Sequence, residues 1–301
     1  MKKKMLFILL MLCSAQLFAS TVLEQTIGAR PLGLGECFTG LADDINSIFS
    51  NPAGTYNIKG KEVSLLYYDT LSDTTLTTLA TGVKMQGRGG AISVGYSTFD
   101  GGKFEEIDGS GNLVRTVKAL TETLAIVNYS NCLKQIDDEK QILVGLSAKS
   151  LSSKLVETYP ASTMALDAGI LYQSNAERSF SFGVAVQNAG AGLKYDQVAD
   201  PLPMKVKAGF AIGLMDTYKY TFRVLGEAVS SSRTKQTTIG AGVEYGFAKL
   251  LYLRAGYRAG DVRKMTFGFG VNVRNAYVLN YGTEMLGDVE NLSQFSFGFG
   301  F

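Results

Sequence analysis

The chain closes with a stretch that decides the fold: Phe295-Ser296-Phe297-Gly298-Phe299-Gly300-Phe301. Phenylalanine occupies every second position, and only serine and glycine stand between the rings. Because successive residues of a β-strand point to opposite faces, this stretch predicts a strand with one aromatic face and one nearly bare face. That division is typical of strands that face lipid on one side and the lumen of a barrel on the other.

The same period-two alternation continues upstream through most of the chain. Apolar and aromatic residues alternate with glycine and charge at 277–281, 267–273, 251–257, 239–245 and 206–212. We predict fourteen strands, at 62–70, 76–86, 89–99, 118–130, 140–151, 162–174, 179–188, 203–214, 218–229, 236–247, 250–259, 264–273, 276–286 and 292–301. An even number fits a single-chain bacterial barrel. The predicted fold is therefore all-β, a single transmembrane antiparallel β-barrel of about 14 strands; a soluble β-sandwich would leave the phenylalanine stripes unexplained.

The connections between the predicted strands fall into two groups. Those after even-numbered strands are mostly short, whereas the long ones, 100–117 and 188–202, follow odd-numbered strands. Short periplasmic turns and longer external loops are usual in such barrels. The polar connection 131–139 is an exception, since it is long but falls on the predicted periplasmic side.

Residues 1–19 have the layout of a secretory signal peptide. Three lysines precede an apolar run from Met5 to Cys13, and the segment ends at Ala19. The run is too short to span a membrane. We expect cleavage after Ala19, with cleavage after Ala15 as the alternative; a lipoprotein signal ending at Cys13 fits less well. The predicted localisation is the bacterial outer membrane.

Residues 20–60 do not alternate like the barrel region at 61–301. Apolar residues recur at helical spacing: Phe38, Leu41, Ala42, Ile45, Ile48 and Phe49. This predicts a short amphipathic helix closed by Pro52, because the residue before a proline is disfavoured in a helix. A short helix that precedes a barrel can pack inside the lumen, so we predict that this segment forms a hatch there.

Composition argues against several functions. Basic and acidic residues nearly balance at 29 and 27, so nothing indicates nucleic acid as a partner. The chain has no histidine, which rules out a histidine-based catalytic triad, and we expect neither an enzyme nor a cofactor. Asp108, Ser110 and Asn112 have the spacing of calcium ligands, but no glutamate follows at the required distance. Cys37 and Cys132 could pair in an oxidising compartment.

Charged residues fall on the predicted lumen face of several strands. They are Arg223, Glu227, Glu244, Arg254 and Arg258. One interpretation is a network of ion pairs that fills a narrow barrel. The other is a polar pore or a head-group site, since charge at membrane depth is costly and often functional.

Several motifs resemble the PorV/PorQ family, a branch of the FadL-like outer-membrane barrels. The resemblance is carried by residues 29–35, Asp43-Asp44, 51–54, 186–190, 242–245 and 253–257. It implies a fourteen-stranded barrel with an N-terminal hatch. The hatch or gating residues it implies are Arg30, Gly33, Gly35, Asp43, Asp44, Asn51, Pro52, Ala53 and Gly54.

The resemblance gives two expectations for function. FadL-like members pass long-chain fatty acids or other hydrophobic molecules, so the first expectation is a passive outer-membrane transporter in contact with membrane lipid. PorV-like members serve type IX secretion, so the alternative is an accessory that binds cargo or translocon proteins. We also expect Phe297, Phe299 and Phe301 to form an assembly signal for the barrel-assembly machinery.

Overall fold

The computed structural model describes residues 21–69, 74–87, 89–176, 178–195, 198–260, 263–274, 276–286 and 289–301. The predicted signal peptide lies outside these residues. Among the described residues, no helix is long and apolar enough to cross a membrane. The strands are β1 (Lys61–Asp69), β2 (Thr74–Lys84), β3 (Ala91–Gly101), β4 (Lys103–Ile107), β5 (Leu113–Lys118), β6 (Leu120–Gln135), β7 (Lys140–Leu155), β8 (Tyr159–Ser174), β9 (Phe180–Gly190), β10 (Leu193–Tyr195), β11 (Val198–Asp200), β12 (Lys205–Asp216), β13 (Tyr220–Ser231), β14 (Thr237–Phe247), β15 (Leu251–Ala259), β16 (Lys264–Val273), β17 (Tyr277–Leu286) and β18 (Val289–Gly300).

Fourteen of the described strands form one closed antiparallel barrel, which confirms the predicted fold. Each barrel strand pairs with its neighbours in chain order, and β18 closes the ring against β1. The alternating stretch 295–301 therefore lies at the seam, where Phe297 is opposite Leu279 of β17 on one side and Leu65 of β1 on the other. Closure leaves no sheet edge unpaired, as a strand structure in lipid requires.

The two faces of the wall differ as the alternation predicts. Outward-facing Phe297, Leu279 and Phe267 are 41%, 53% and 43% exposed, whereas their lumenal neighbours Ser296 and Asn280 are buried. This division matches the apolar band of a membrane barrel.

The strand predictions differ from the structure mainly at the connections. Strand β6 continues to Gln135, five residues beyond the prediction, with an irregularity between Cys132 and Lys134. The connection predicted as long is therefore a short turn, which removes the exception. The two long connections were predicted as loops but contain the hairpins β4–β5 and β10–β11. We call the barrel end with the short turns the turn end, and the opposite end the loop end.

The segment ahead of β1, the hatch (residues 21–60), fills the lumen. It contains two short α-helices, α1 (Thr21–Glu24) and α2 (Ala29–Gly33), and two 3₁₀ helices, Ile45–Phe49 and Pro52–Asn57. A single amphipathic helix closed by Pro52 is not what forms, since Pro52 instead begins the second 3₁₀ helix.

The reason for this difference is that most of the hatch is surrounded by protein. Polar Thr39 and Ser47 are buried as fully as apolar Phe38 and Ile48, so the segment has no polar face turned to solvent there and an amphipathic helix brings no advantage. Backbone groups that would bond within an α-helix bond to the wall instead, as when the Phe38 and Thr39 N–H groups donate to Glu227. Side-chain caps at Asp44 and Asn51 then begin the two 3₁₀ helices.

Candidate functional site

The hatch lies directly against glycines of the barrel wall. A Cβ atom on Gly183 would stand 2.2 Å from the Thr39 carbonyl oxygen, and one on Gly242 would stand 2.4 Å from that of Leu34. An added Cβ would also stand within 2.1–3.3 Å of a hatch atom at many other lumenal glycines: Gly82, Gly95, Gly145, Gly169, Gly209, Gly240, Gly256, Gly268 and Gly282. These glycines belong to ten of the barrel strands, so the hatch backbone contacts most of the circumference.

The glycines predicted for the hatch itself serve the same close packing. Gly33 stands against Gly268 of β16, and a Cβ on Gly54 would meet Ala42 at 2.4 Å. Gly35 has a φ of +65° and donates its N–H to Thr266 Oγ1 at 2.9 Å. A side chain at Gly35 would be strained by the backbone as well as by the wall.

Arg30 is the centre of an ion-pair network that joins the hatch to the wall. Its guanidinium lies 2.6 Å from Asp43, 3.0 Å from Asp44 and 3.0 Å from Glu244 of β14. Glu244 is also bound by Arg254 at 2.8 Å, and Arg223 approaches both Asp43 and Glu244. The structure thus brings together six residues that the sequence marked as hatch or lumen charges.

The two remaining lumenal charges also bind the hatch. Glu227 accepts hydrogen bonds from the backbone N–H groups of Phe38 at 2.9 Å and Thr39 at 2.8 Å. Arg258 pairs with Glu36. Of the two interpretations left open by the sequence, the ion-pair network describes these five wall residues, because each one binds the hatch or a group that does.

Asn51, Pro52 and Ala53 fix the turn in the last third of the hatch. The Asn51 side-chain amide donates to the Thr39 carbonyl oxygen at 2.9 Å and to that of Ile170 in β8 at 3.2 Å. Its oxygen caps the second 3₁₀ helix by accepting from the Ala53 N–H at 3.1 Å. Asn51 is fully buried, so all of its polar atoms depend on these partners.

A small enclosed cavity of about 50 Å³ lies above the hatch, towards the loop end. The wall contributes four cations to its lining, Lys149, Lys205, Lys207 and Arg258, together with the amides of Gln187 and Asn188. The hatch contributes apolar side chains, among them Val22, Ile27 and Phe38, and also polar ones, among them Glu36 and Ser50. The cavity is therefore amphipathic and mainly polar, with basic groups of the wall facing a hatch surface of mixed character.

Two of the basic groups in the cavity have clear partners. Lys149 pairs with Asp167 at 2.7 Å and donates to Asn188 at 2.8 Å. Lys205 donates to the backbone carbonyl oxygens of Leu23 at 3.0 Å and Glu24 at 3.3 Å. The sequence prediction of site residues missed these lysines, although alternation along residues 205–212 places Lys205 and Lys207 on the lumen face.

The loop end of the lumen is covered by the connection between β9 and β12. Leu193 and Leu202 are buried in the same apolar cluster as Val22 and Leu23 of α1, and the Tyr195 hydroxyl bonds to Ser153 at 2.5 Å. Arg233 pairs with Glu24 of α1 at 3.1 Å. The described parts of this connection and α1 thus form a single cover over the cavity.

The other sequence candidates occupy ordinary structural positions. Asp108 accepts backbone hydrogen bonds from Asn112 and Ser110 in a loop, and these bonds lower the pKa of its carboxyl group. No metal-ligating cluster occurs among the described residues. Cys37 and Cys132 are both free thiols, and burial raises the pKa of the Cys37 thiol well above its ordinary value.

The three aromatic residues predicted as an assembly signal lie on the outer face of the seam. The rings of Phe297 and Phe299 stand 6.4 and 5.6 Å from that of Tyr277, and the Phe301 ring stands 4.8 Å from that of Phe299. The backbone of Phe301 exchanges two hydrogen bonds with Lys61, at 2.9 and 3.0 Å. These contacts place the residues at barrel closure and leave their recognition by assembly machinery a prediction.

Comparison with known proteins finds solved barrels of similar fold. Residues 15–152 match the uncharacterised protein family UPF0164. The toluene transporter TbuX of Ralstonia pickettii is 12% identical, with a TM-score of 0.59 over 91% of this chain and 98% of that one. A Pseudomonas aeruginosa FadL homologue is 10% identical, with a TM-score of 0.54 over 92% and 99% of the two chains. The P. putida toluene transporter TodX is 11% identical, with a TM-score of 0.52 over 86% and 94%.

A search of the curated proteins found no match. At these low identities the likeness to solved structures concerns the fold alone, which is a closed β-barrel. The finer resemblance to the PorV/PorQ family stays a prediction.

Proposed function

We propose that this chain is a bacterial outer-membrane barrel that lets hydrophobic small molecules pass without catalysis. Similarity to barrels named as toluene transporters and as a FadL homologue supports the proposal. The observation that carries it is the amphipathic cavity, because a channel for cargo with an apolar part needs an internal site that offers apolar contacts and is closed to free diffusion. The hatch supplies that closure through its contacts around the wall.

We propose further that the cargo carries an acidic head group, as a long-chain fatty acid does. Three lysines line the cavity in addition to Arg258, which is already paired with Glu36, and Lys205 is held by backbone carbonyl oxygens. A buried cation is stabilised by an anion that can take its hydrogen bonds. A neutral hydrocarbon such as toluene would gain nothing from these groups.

The size of the cavity limits what it can hold in this closed state. A single water requires roughly 10–15 Å³ of such space, so a cavity of about 50 Å³ accommodates a carboxylate but not an acyl chain. The chain of a bound fatty acid would therefore need space now filled by Val22 and Leu23 of α1. Displacement of α1 and its cover is thus part of the proposed passage.

Calorimetric titration of the purified barrel tests the head-group proposal. Oleic acid should bind more tightly than oleyl alcohol, which has the same chain without the charge. The double variant Lys205→Gln/Lys207→Gln should lose about tenfold or more in affinity for the acid, since a hydrogen bond to a charged group is worth about 1.5–3 kcal/mol. Its affinity for the alcohol should hardly change.

The matched control is Lys154→Gln, which removes an exposed lysine of β7 outside the cavity and should leave both affinities unchanged. Equal affinities for acid and alcohol in the wild-type protein would contradict the acidic head group. Binding of neither molecule would contradict the transport proposal itself.

The second candidate is an accessory role in protein secretion, and the β4–β5 hairpin favours it. This hairpin projects at the loop end with Ile107, Leu113 and Val114 each more than half exposed. Exposed apolar side chains on a projecting hairpin suit contact with another protein. Native mass spectrometry of gently extracted protein separates the two roles, because a stable complex with large proteins and no small ligand would favour secretion.

A further inference from the structure

The outer face of the barrel has an apolar groove across strands β6 to β9. At its centre is Ala168 of β8, which stands opposite Leu146 of β7 and Val186 of β9 in the strand register. The side chains of Tyr129 and Ile170 are larger than that of Ala168, so this small residue leaves a depression among large ones. The groove has a volume of about 450 Å³ and is lined almost entirely by apolar atoms.

The irregular pairing of β8 with β9 adds to this depression. The register shifts between Leu166 and Ala168, where Asp167 faces two residues of β9, and Asn188 has a φ of +60°. A bulge of this kind bends the strand and increases its twist. Ala168 is adjacent to the bulge, so the groove belongs to the backbone geometry as well as to the small side chain.

On the lumen side, the same part of the wall is held rigid by the hatch. A Cβ on Gly145 would meet Pro52 at 2.3 Å, and one on Gly169 would meet the Asn51 side chain at 2.1 Å. Because the wall cannot move inwards here, the groove keeps its shape. The site is therefore preformed and does not need to open for an occupant.

We propose that this groove binds one acyl chain of a membrane lipid whose head group lies towards the turn end. Tyr129 and Asn131, the polar groups beside the groove, stand towards that end of β6, and Asn131 donates to the Tyr129 hydroxyl at 3.2 Å. An amide and a hydroxyl suit the ester and head-group region, while the apolar groove suits the chain.

A second copy of this chain is a poorer occupant. A symmetric contact would place the same surface of both copies face to face. In such a dimer the two grooves would face each other and both depressions would stay unfilled, so packing contacts would be lost. A flexible acyl chain can enter the depression and fill it.

The absence of tryptophan from the sequence gives a clean way to test the site. The variant Ile170→Trp puts the protein's single tryptophan at the edge of the groove, and its fluorescence is excited selectively over that of the tyrosines. The matched control Val243→Trp puts one on the outer face of β14, four residues from the turn end of its strand, as Ile170 is in β8. Both variants are titrated in detergent with phosphatidylcholine that carries bromine on its acyl chains.

Fluorescence of the Ile170→Trp variant should fall steeply and reach a plateau near one lipid per barrel. Fluorescence of the control should fall gradually as lipid accumulates in the micelle. Adding Ala168→Phe to Ile170→Trp fills the groove, so the tryptophan fluorescence should again fall gradually as lipid is added. Heat-dependent gel mobility checks that this double variant still forms a folded barrel.

Identical curves for Ile170→Trp and the control would overturn the proposal, as would a steep curve that survives Ala168→Phe. Formation of a dimer that masks the groove, seen by sedimentation, would also overturn it. The proposal rests on the membrane location but not on the cargo, so loss of oleic acid binding would leave it intact.

Discussion

Substitution of Gly183 by alanine tests how the hatch is held. Gly183 faces the lumen from β9, and a Cβ there would stand 2.2 Å from the Thr39 carbonyl oxygen and 2.8 Å from the Asn51 side-chain nitrogen. The first distance is about 0.8 Å shorter than the 3.0 Å below which Cβ contacts essentially never occur. Alanine is compatible with a strand, so the barrel should close normally while the hatch is displaced.

The expected cost follows from the contacts that must move. Overpacking a well-packed site typically costs about 1–3 kcal/mol. Moving Asn51 also weakens its bonds to Thr39 and Ile170, each of which contributes roughly 1 kcal/mol when intact. We therefore expect docking of the hatch to weaken by about 2 kcal/mol, which is roughly a thirtyfold change in the ratio of docked to undocked hatch.

Amide hydrogen exchange measures this ratio directly, because protection reports the free energy of local opening. The amides of Phe38, Thr39 and Ala53 should exchange about thirtyfold faster in Gly183→Ala, whereas those of β9 and β12 should keep their protection. The control is Gly109→Ala, since a Cβ on Gly109 meets nothing within 4 Å. Unchanged hatch exchange, or equal loss of protection in the barrel strands, would refute the packing argument.

Three further changes test the network, the seam and the thiols. Arg30→Met should cost about 3 kcal/mol and make the hatch sensitive to protease, because loss of one partner leaves buried carboxylates uncompensated. As the control, Arg115→Met removes an exposed ion pair with Glu106 and should leave the stability almost unchanged. Deletion of Phe301 removes its two bonds to Lys61 and should lower the folded, membrane-inserted fraction seen by gel mobility, whereas unchanged insertion would argue against an assembly role. A maleimide reagent should label half-buried Cys132 well before buried Cys37, whose raised pKa keeps it protonated, and equal rates would contradict the packed hatch.

The barrel could be predicted from sequence because its signal is local. Alternation depends only on neighbouring residues, so β12 to β18 could be located from residues such as Phe267 and Phe269 without knowledge of their partners. The β10–β11 hairpin had no such signal, since three-residue strands are too short for a period to be seen.

The position of the hatch in the lumen could be predicted from the sequence, but its conformation could not. Phe38, Leu41 and Ile45 do recur at helical spacing, yet polar residues of the same segment, such as Thr39, are buried as well. Its conformation is set by long-range partners such as Glu227, which follows Phe38 by 189 residues. Patterns within a short window contain no information about such a partner.

The lumenal charges show the same limit. Their face could be predicted from strand alternation, which is why Glu244, Arg254 and Arg258 were identified. Their partners could not, because Arg30 and Glu244 are separated by 214 residues and meet only when the barrel has closed around the hatch.

The lumenal glycines have a packing role that alternation along the strands does not reveal. Side chains on a wall face of glycine and small polar residues hardly project into the lumen. In the structure the hatch backbone occupies that space, and even a methyl group on Gly183 or Gly242 would collide with it. An open channel would place no such limit on side-chain size. Glycine on the inner face of this barrel therefore marks where the lumen is filled, and the larger lysines of β7 and β12 mark where a cavity is left.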